Sequence, residues 1–194
     1  MVKRFYRFFV DNVTGIYLSL IFPGIDKGIR IVKYRLINSK RNNIYIGKDF
    51  FAGEGIYISL SCYTILTVGQ AVMLGPEVMI LGGNHKYSYR GSHLRYYRIE
   101  DESARNITIE DGVWVGARVT ILSGAIISEG AIVGACSLVN KYIPPYSIAV
   151  GVPVKVIKPR FSSILELEEM LNNVESSYSV SEILSIYKEF GIIL

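Results

Sequence analysis

The chain has 194 residues, half of them apolar, and a formal net charge of +4 at pH 7. This length allows one domain with a sizeable core plus short flanking elements. Two cysteines, Cys62 and Cys136, are too few for a disulfide framework, and both lie in apolar stretches, which predicts reduced core thiols in a cytoplasmic protein.

The charge is distributed unevenly along the chain. Residues 1–48 contain ten Lys and Arg against two Asp, whereas the residues from Phe161 onward contain six Glu and one Lys. The stacking motifs of RNA-binding modules are absent, so the basic arm does not indicate a nucleic-acid partner. A membrane surface or another anionic partner is the better interpretation.

The first segment, residues 2–22, has the pattern of an amphipathic helix. Arg7 and Asp11 interrupt its apolar runs, and no small-residue cleavage site follows Phe22. No window reaches the roughly 18 apolar residues of a membrane span. We expect this helix either to pack on the domain or to lie on a membrane surface. Residues 1–43 are predicted to form a basic, partly helical arm.

The following segment, residues 44–160, repeats with a period of six. A helix of 3.6 residues per turn cannot keep one face on that spacing, whereas one short strand plus one bend takes six residues. Three such units close a triangular coil, and aliphatic residues 18 apart then stack inside it. The pattern predicts an all-β solenoid, a parallel β-helix. Its inward positions are Ile109, Val115, Ile121, Ile127, Val133 and Val139, with Val113, Val119, Ala125, Ala131 and Ser137 each four places later, and with weaker traces at Ile46, Ala52, Ile58, Val68, Leu74 and Ile80.

The period is interrupted between Gly82 and Ile107. Residues 83–106 are polar and aromatic, and they contain both histidines of the chain, His85 and His93. A loop of this length within a compact repeat domain is usually functional. We therefore expect the chemistry of the protein to depend on this loop.

The repeat fades through Pro144 and Pro145, which lack the N–H group of a strand and are expected at its open edge. Residues 161–194 are predicted to form two short helices, because they contain two segments of capping-box spacing. These segments pair Ser163 with Glu166 and Ser179 with Glu182. We expect the helices to cap the end of the coil stack.

Residues 107–160 resemble the hexapeptide-repeat acyltransferases, and the resemblance extends from about Ile44 to Arg160. The nearest members are sugar O-acetyltransferases, namely galactoside and maltose acetyltransferases and the O-acetyltransferases of bacterial surface polysaccharides. The resemblance implies a left-handed β-helix, an exception to the usual right-handed crossover. It also implies acetyl-CoA as co-substrate, a sugar or oligosaccharide acceptor, and a homotrimer with active sites between neighbouring subunits.

Gly83-Asn84-His85 matches the context of the essential histidine of that family. A sugar hydroxyl is a poor nucleophile, and an imidazole that is largely neutral at pH 7 can accept its proton. Backbone N–H groups would stabilise the resulting oxyanion. Because no Cys or Ser occupies a nucleophile motif, we expect direct transfer in a ternary complex with His85 as the general base.

The resemblance assigns further roles. Glu77 occupies the position of an acceptor-binding Asn, Asn84 and His93 are expected near the acceptor, and no metal is expected. Any of three acidic residues could orient His85, and the sequence does not distinguish among Glu100, Asp101 and Glu102. The expected donor site comprises Trp114 beside the pantetheine, Lys155 and Lys158 at the CoA phosphates, and Ala117, Ala135, Asn140 and Lys141 along the cofactor.

The same coil also occurs in proteins with other functions. A γ-class carbonic anhydrase needs three histidines per zinc, and this chain has two. A xenobiotic or amino-sugar N-acetyltransferase stays open, because a base helps N- and O-acceptors alike. A non-catalytic scaffold is the remaining alternative. For the preferred function, the basic arm suggests surface-polysaccharide or lipopolysaccharide assembly in the cytoplasm, with peripheral contact at the inner face of the plasma membrane.

Overall fold

The computed structural model describes residues 16–26, 28–31, 34–37, 43–97 and 105–194. Within these ranges, short strands form three sheets that are the sides of a triangular prism. Sheet 1 contains β1 (Arg30–Ile31), β4 (Phe51–Ala52), β7 (Met73–Leu74), β10 (Trp114–Val115), β13 (Ile132–Val133), β16 (Ser147–Val150) and β17 (Lys155–Pro159). Sheet 2 contains β2 (Tyr34–Ile37), β5 (Ile56–Ser59), β8 (Met79–Leu81), β11 (Thr120–Leu122) and β14 (Leu138–Val139). Sheet 3 contains β3 (Ile44–Ile46), β6 (Leu66–Val68), β9 (Ile107–Ile109), β12 (Ile126–Ile127) and β15 (Tyr142–Ile143).

Each strand pairs in parallel with the strand three places along the chain, which is the pairing that a three-sided coil requires. In the regular region the register joins residues 18 apart, as in Val115 with Val133 and Ile121 with Val139. Among the described strands, only β17 runs antiparallel, against β16. The bends between the sheets form three edges of the prism, named here edge 1–2, edge 2–3 and edge 3–1 after the sheets they join. The predicted parallel β-helix is confirmed.

The inward positions of the repeat form the core. Every aliphatic residue of the predicted series from Ile109 to Val139 is buried, and the weaker upstream traces are buried as well. Successive backbones approach closely at edge 1–2. A Cβ added to Gly75 would lie 2.7 Å from the backbone nitrogen of Ala117, and one added to Gly116 would lie 2.6 Å from that of Ala135. Glycine is therefore required at these bends, because backbone atoms have no room to move aside.

The coil begins before residue 44. Ile25 bridges to Ile46, β1 pairs with β4, and β2 pairs with β5. The boundary predicted at residue 44 therefore falls inside the coil. The inward residues Ile31 and Leu36 are only five positions apart, and this short step conceals the first coil from a search for a period of six.

Residues 16–21 form a helix, α1, and residues 2–15 of the predicted amphipathic segment lie outside the described ranges. Leu18 and Phe22 are buried in the main core, whereas Ile16 and Tyr17 are exposed. The helix thus packs on the domain and keeps an apolar outer face. In the described part of the chain, none of the helices combines the length and the apolar character needed to cross a membrane.

The C-terminal helices α2 (Ile164–Asn173) and α3 (Val180–Phe190) lie against edge 3–1. The Tyr187 hydroxyl donates to the carbonyl oxygens of Pro145 (3.0 Å) and Tyr146 (2.6 Å), and the Tyr178 hydroxyl donates to Glu110 Oε2 (3.0 Å). The open end of the core is filled by Val154, whose N–H donates to the Leu138 carbonyl. The helices therefore brace the side of the stack, in contrast to the expected cap over its end.

Local electrostatics supports this attachment. Burial, together with the nearby Glu110 carboxylate that accepts its hydrogen bond, raises the pKa of Tyr178 to about 12. The hydroxyl consequently remains a donor at neutral pH. The predicted capping box of α3 is present, with reciprocal bonds between Ser179 and Glu182.

The cysteine prediction is wrong in one respect. Both thiols are free, but Cys62 and Cys136 are exposed and do not belong to the core. Each lies on a bend, Cys62 at edge 2–3 and Cys136 at edge 1–2, where alternate side chains point away from the prism even when their sequence neighbours are apolar.

Candidate active site

The long loop leaves the coil after β8 and returns at β9, so it projects from edge 2–3. Its two ends are tied together by Ser123 of the next coil. The Ser123 hydroxyl accepts a hydrogen bond from the Gly83 N–H (3.0 Å) and donates one to the Arg105 carbonyl oxygen (3.0 Å). Gly83 has φ +96°, and a Cβ there would lie 2.5 Å from the Ser61 side chain. The fold therefore requires glycine at the first position of the Gly83-Asn84-His85 motif.

His85 is exposed on this loop, beside an aromatic pair. Its ring meets Tyr97 edge to face, with ring centroids 6.3 Å apart and planes inclined at 64°. Tyr97 is only 9% exposed and packs on Tyr89, at a centroid distance of 5.0 Å. These rings give the imidazole a supported position while leaving it open to solvent. Sequence reasoning missed Tyr89 and Tyr97, although the unusual density of aromatic residues in a polar loop was a signal.

Two other predicted loop residues, Asn84 and His93, are also exposed. Asn84 is exposed next to His85, and His93 is exposed just before a short 3-10 helix, Leu94–Tyr96, which its side chain does not cap. The three acidic candidates for orienting His85, residues 100–102, lie outside the described ranges. Their role stays a prediction.

The predicted donor residues occupy other parts of the prism. Trp114 is half-exposed on the outer face of sheet 1, in register between Met73 and Ile132. Lys155 and Lys158 lie on β17 at the end of the same sheet. A strip of apolar side chains thus leads along sheet 1 towards two exposed lysines.

The remaining donor residues are divided between two edges. Ala117 and Ala135 lie on bends of edge 1–2, and Asn140 and Lys141 lie on the last bend of edge 2–3. Within one chain, therefore, Asn140 and Lys141 lie on the same edge as His85. Sheet 2 separates His85 from Ala117 and Ala135.

Glu77 lies on edge 1–2 in the left-handed backbone region, with φ 59°. Its Oε2 atom accepts a hydrogen bond from Arg118 Nε at 2.7 Å, in an ion pair between two largely exposed side chains. The sequence did not reveal this partner, because Arg118 is 41 residues away. Where the resemblance leads one to expect an amide, this chain presents a carboxylate whose free hydrogen-bonding capacity is reduced by a guanidinium.

A cavity of about 390 Å³ lies between edge 3–1 and the C-terminal helices. It is lined by Gln70, Asp111, Glu129, Met170 and Glu175, among others, and neither His85 nor Trp114 contributes to it. In the described residues, no group of three or more His, Cys, Asp or Glu side chains is arranged to hold a metal ion. His85 and Trp114 therefore lie outside this cavity, on open faces of a single chain.

Comparisons with known proteins relate this architecture to a family. Residues 106–141 match the family model of the bacterial transferase hexapeptide, with six repeats. Galactoside O-acetyltransferase of Escherichia coli is 34% identical over 60% of this chain, and the chain spans about half the length of such curated relatives, 54% in this case. WbbJ of Escherichia coli, named provisionally for lipopolysaccharide biosynthesis O-acetyl transfer, is 25% identical over 77% of this chain and 87% of its own length.

A solved structure extends the match to the three-dimensional fold. A maltose O-acetyltransferase from Clostridium difficile 630 is 32% identical, with a TM-score of 0.63, over 75% of this chain and 73% of that one. The protein is therefore a left-handed parallel β-helix with short helices at its ends. It belongs to the hexapeptide-repeat transferase family.

Replacement of Tyr97 tests whether the aromatic pair supports His85. Tyr97→Ala should free the imidazole, because an aromatic contact contributes about 0.5–1.5 kcal/mol. We expect the His85 ring resonances to move towards those of an unstructured peptide and cleavage of the loop by a protease to become roughly 2- to 10-fold faster, as that energy implies. Tyr97→Phe keeps the ring and should change neither. Unchanged His85 resonances in Tyr97→Ala would show that the contact does not position the histidine.

Proposed function

We propose that this protein is an acetyl-CoA-dependent O-acetyltransferase that acts on a carbohydrate hydroxyl, in the assembly of surface polysaccharide or lipopolysaccharide. The observation that carries the proposal is the Gly83-Asn84-His85 loop, which projects from the coil of a chain belonging to the hexapeptide-repeat transferases. The names of its relatives support a sugar acceptor, since they include galactoside, maltose and lipopolysaccharide O-acetyl transfer.

In the proposed reaction His85 accepts the proton of the acceptor hydroxyl as its oxygen attacks the thioester carbonyl carbon. Backbone N–H groups stabilise the oxyanion of the tetrahedral intermediate. The C–S bond then breaks, and the imidazolium returns the proton to the departing CoA sulfur. The exposed ring of His85 supports this role, because an acceptor can reach it without any rearrangement of the core.

The residues of sheet 1 fit the proposed donor. The half-exposed indole of Trp114, with Met73 beside it, offers an apolar surface for the pantetheine arm. Lys155 and Lys158 supply cations for the phosphates at the end of the sheet. The small side chains of Ala117 and Ala135 leave edge 1–2 open beside this surface, whereas Asn140 and Lys141 would contact the donor from edge 2–3.

We further propose a homotrimer. In a single chain, sheet 2 separates the His85 loop from the edge next to Trp114, and a rigid prism cannot bring these two parts together. A second copy could place its edge 2–3 beside sheet 1 of the first. Each site would then take its base from one protomer and its indole from another, with three equivalent sites in a closed ring.

Replacing each histidine in turn tests the proposed base. His85→Ala should lower turnover of acetyl-CoA with a sugar acceptor by roughly 10² to 10⁴, the range of general base catalysis. His93→Ala removes a second exposed imidazole from the same loop; because His93 is expected near the acceptor, this variant should raise the KM for the sugar while retaining most of kcat. Both variants should still be stabilised thermally by CoA, because neither residue belongs to the proposed donor surface.

The acceptor should be sought in a panel of sugars, nucleotide sugars, oligosaccharide fragments and amine acceptors, with CoA release as the readout. Normal turnover by His85→Ala would exclude the proposed mechanism. Absence of thermal stabilisation by CoA in the native protein would favour a non-catalytic scaffold. Preferential acetylation of an amine would favour the N-acetyltransferase alternative.

Subunit mixing tests the shared site. His85→Ala and Trp114→Ala should each be nearly inactive alone, but trimers formed after the two are unfolded and refolded together should regain about a quarter of the native rate. Random assembly places an intact His85 beside an intact Trp114 at that frequency in a cyclic trimer. Each variant refolded by itself is the control. A mixture no more active than its parents would contradict a site built from two protomers.

The N-terminal region supports a proposed peripheral membrane contact. The outer face of α1 presents Ile16 and Tyr17, and residues 1–48 carry a large excess of Lys and Arg. Basic residues are attracted to anionic lipid by about 1 kcal/mol each, and a buried apolar side chain adds about 1.5–3 kcal/mol. The proposed location is the cytoplasmic face of the membrane.

Vesicle sedimentation tests this contact without deleting α1, since Leu18 and Phe22 belong to the core. Ile16→Ser with Tyr17→Ser should weaken binding to phosphatidylglycerol vesicles at least about 10-fold, in line with the lost apolar burial. Leu165→Ser changes an exposed apolar residue of α2 and serves as the control. Equal sedimentation of all three proteins would remove the proposal.

A further inference from the structure

Charged side chains are segregated between the edges of the prism. From β3 onward, the described bends of edge 3–1 carry four acidic residues, Asp49, Glu110, Asp111 and Glu129, against one lysine, Lys48. The described bends of edge 2–3 carry no carboxylate, but they carry five basic residues, Lys86, Arg90, Arg95, Arg105 and Lys141. Clustering of one sign of charge along one edge produces a local positive potential that attracts anions.

The part of the loop next to His85 is cationic and carries no carboxylate. Residues 83–97 contain three cationic side chains and no Asp or Glu, and Asn84 is the only one with a side-chain carbonyl. Lys and Arg donate but cannot accept, so they suit ligands that only accept, such as carboxylate and phosphate. A segment with three cations and no carboxylate therefore favours an anionic ligand over a neutral one.

The three cations of this segment are accessible to a ligand in the described structure. Lys86, Arg90 and Arg95 are exposed, and within the described ranges none of them is paired with a carboxylate. Three acidic residues of the same loop, at positions 100–102, lie outside those ranges, and with them the loop 83–106 still has five basic residues against three acidic ones. The balance at this edge is positive in either case.

Aromatic side chains alternate with the cations. Tyr87 is 92% exposed and Tyr96 is 73% exposed, and Tyr63 of the preceding coil is exposed on the same edge. Tyrosine presents an apolar ring face and a polar hydroxyl, so exposed tyrosines suit a solvated binding surface. The apolar face of a sugar ring can stack on such a ring while a neighbouring cation binds its charged substituent.

We propose that the acceptor is an acidic carbohydrate, carrying carboxylate or phosphate, and that Lys86, Arg90 and Arg95 bind its anionic group beside His85. This inference rests on the proposed acetyltransferase function and specifies its substrate class. The cations set the specificity for the acceptor, and the exposed tyrosines contact the sugar. The donor phosphates are assigned to the separate lysines of β17.

The test compares three acceptors with the native 194-residue chain. Trigalacturonic acid carries carboxylates, UDP-N-acetylglucosamine carries phosphates, and maltotriose is neutral. Binding is measured by calorimetry, and transfer is measured separately as CoA release at low and at 0.5 M salt. We expect at least one anionic probe to bind about 10-fold or more tightly than maltotriose, with a preference that added salt weakens. The tighter of the two anionic probes identifies the source of the charge.

Two matched triple variants locate the effect. Lys86→Gln/Arg90→Gln/Arg95→Gln should abolish the preference, raising the KM for the anionic acceptor roughly 10- to 100-fold while the KM for acetyl-CoA is unchanged. Arg30→Gln/Lys48→Gln/Lys188→Gln removes the same charge from exposed positions outside edge 2–3 and should keep the preference.

The outcomes separate the two proposals. Equal binding of all three probes by the native protein overturns the acidic acceptor, and so does a loop variant that raises the KM for acetyl-CoA, which would assign these cations to the donor. Tighter binding of an anionic probe, with no acetylation of any acceptor and no binding of CoA, supports the basic site but overturns the transferase proposal. Acetylation of maltotriose as efficient as that of both anionic probes supports the transferase and overturns this inference.

Discussion

The stacking of one backbone turn on the next determines the rest of this structure. Each short strand hydrogen-bonds to the strands one coil before and one coil after, and at edge 1–2 the backbones approach so closely that only glycine fits at Gly75 and Gly116. Extra residues cannot enter a strand without breaking this pairing. They can be inserted only at a bend, where they project outward, and the His85 loop occupies such a position at edge 2–3.

A prism of this kind displays side chains but does not enclose them. The inward positions are filled with aliphatic residues, so groups that carry chemistry must lie on the outer faces and edges, with little freedom to approach one another. His85 and Trp114 are separated in this way. The proposed trimer follows from that rigidity, because a second copy can supply the surface that one chain cannot fold around.

Edge 3–1 and edge 2–3 differ in the sign of their charges and in what those charges contact. On edge 3–1 the carboxylates serve the fold, since Glu110 accepts hydrogen bonds from the Tyr178 hydroxyl and the Glu129 N–H, and Glu129 accepts one from Tyr146. The Tyr178 contact holds the C-terminal helical segment against the stack, and the other two join successive coils. Edge 2–3 has no such covering in the described residues, and its cations face solvent beside the histidine, where they are proposed to meet the acceptor.

The sequence by itself determined the coil, its inward residues and the place of the loop, because a strand plus a bend takes six residues and leaves a direct trace in the spacing. It also indicated the α3 capping box, which is a local contact. Only the tertiary structure decided what depends on distant residues: the pairing of Glu77 with Arg118 across 41 positions, the support of His85 by Tyr97, and the seating of the helices on edge 3–1. The early start of the coil belongs with these, since a five-residue step from Ile31 to Leu36 is tolerated once each strand has a partner one coil later. Spacing specifies which side chains point inward, but which edge each bend occupies, and what it meets there, is fixed by stacking in three dimensions.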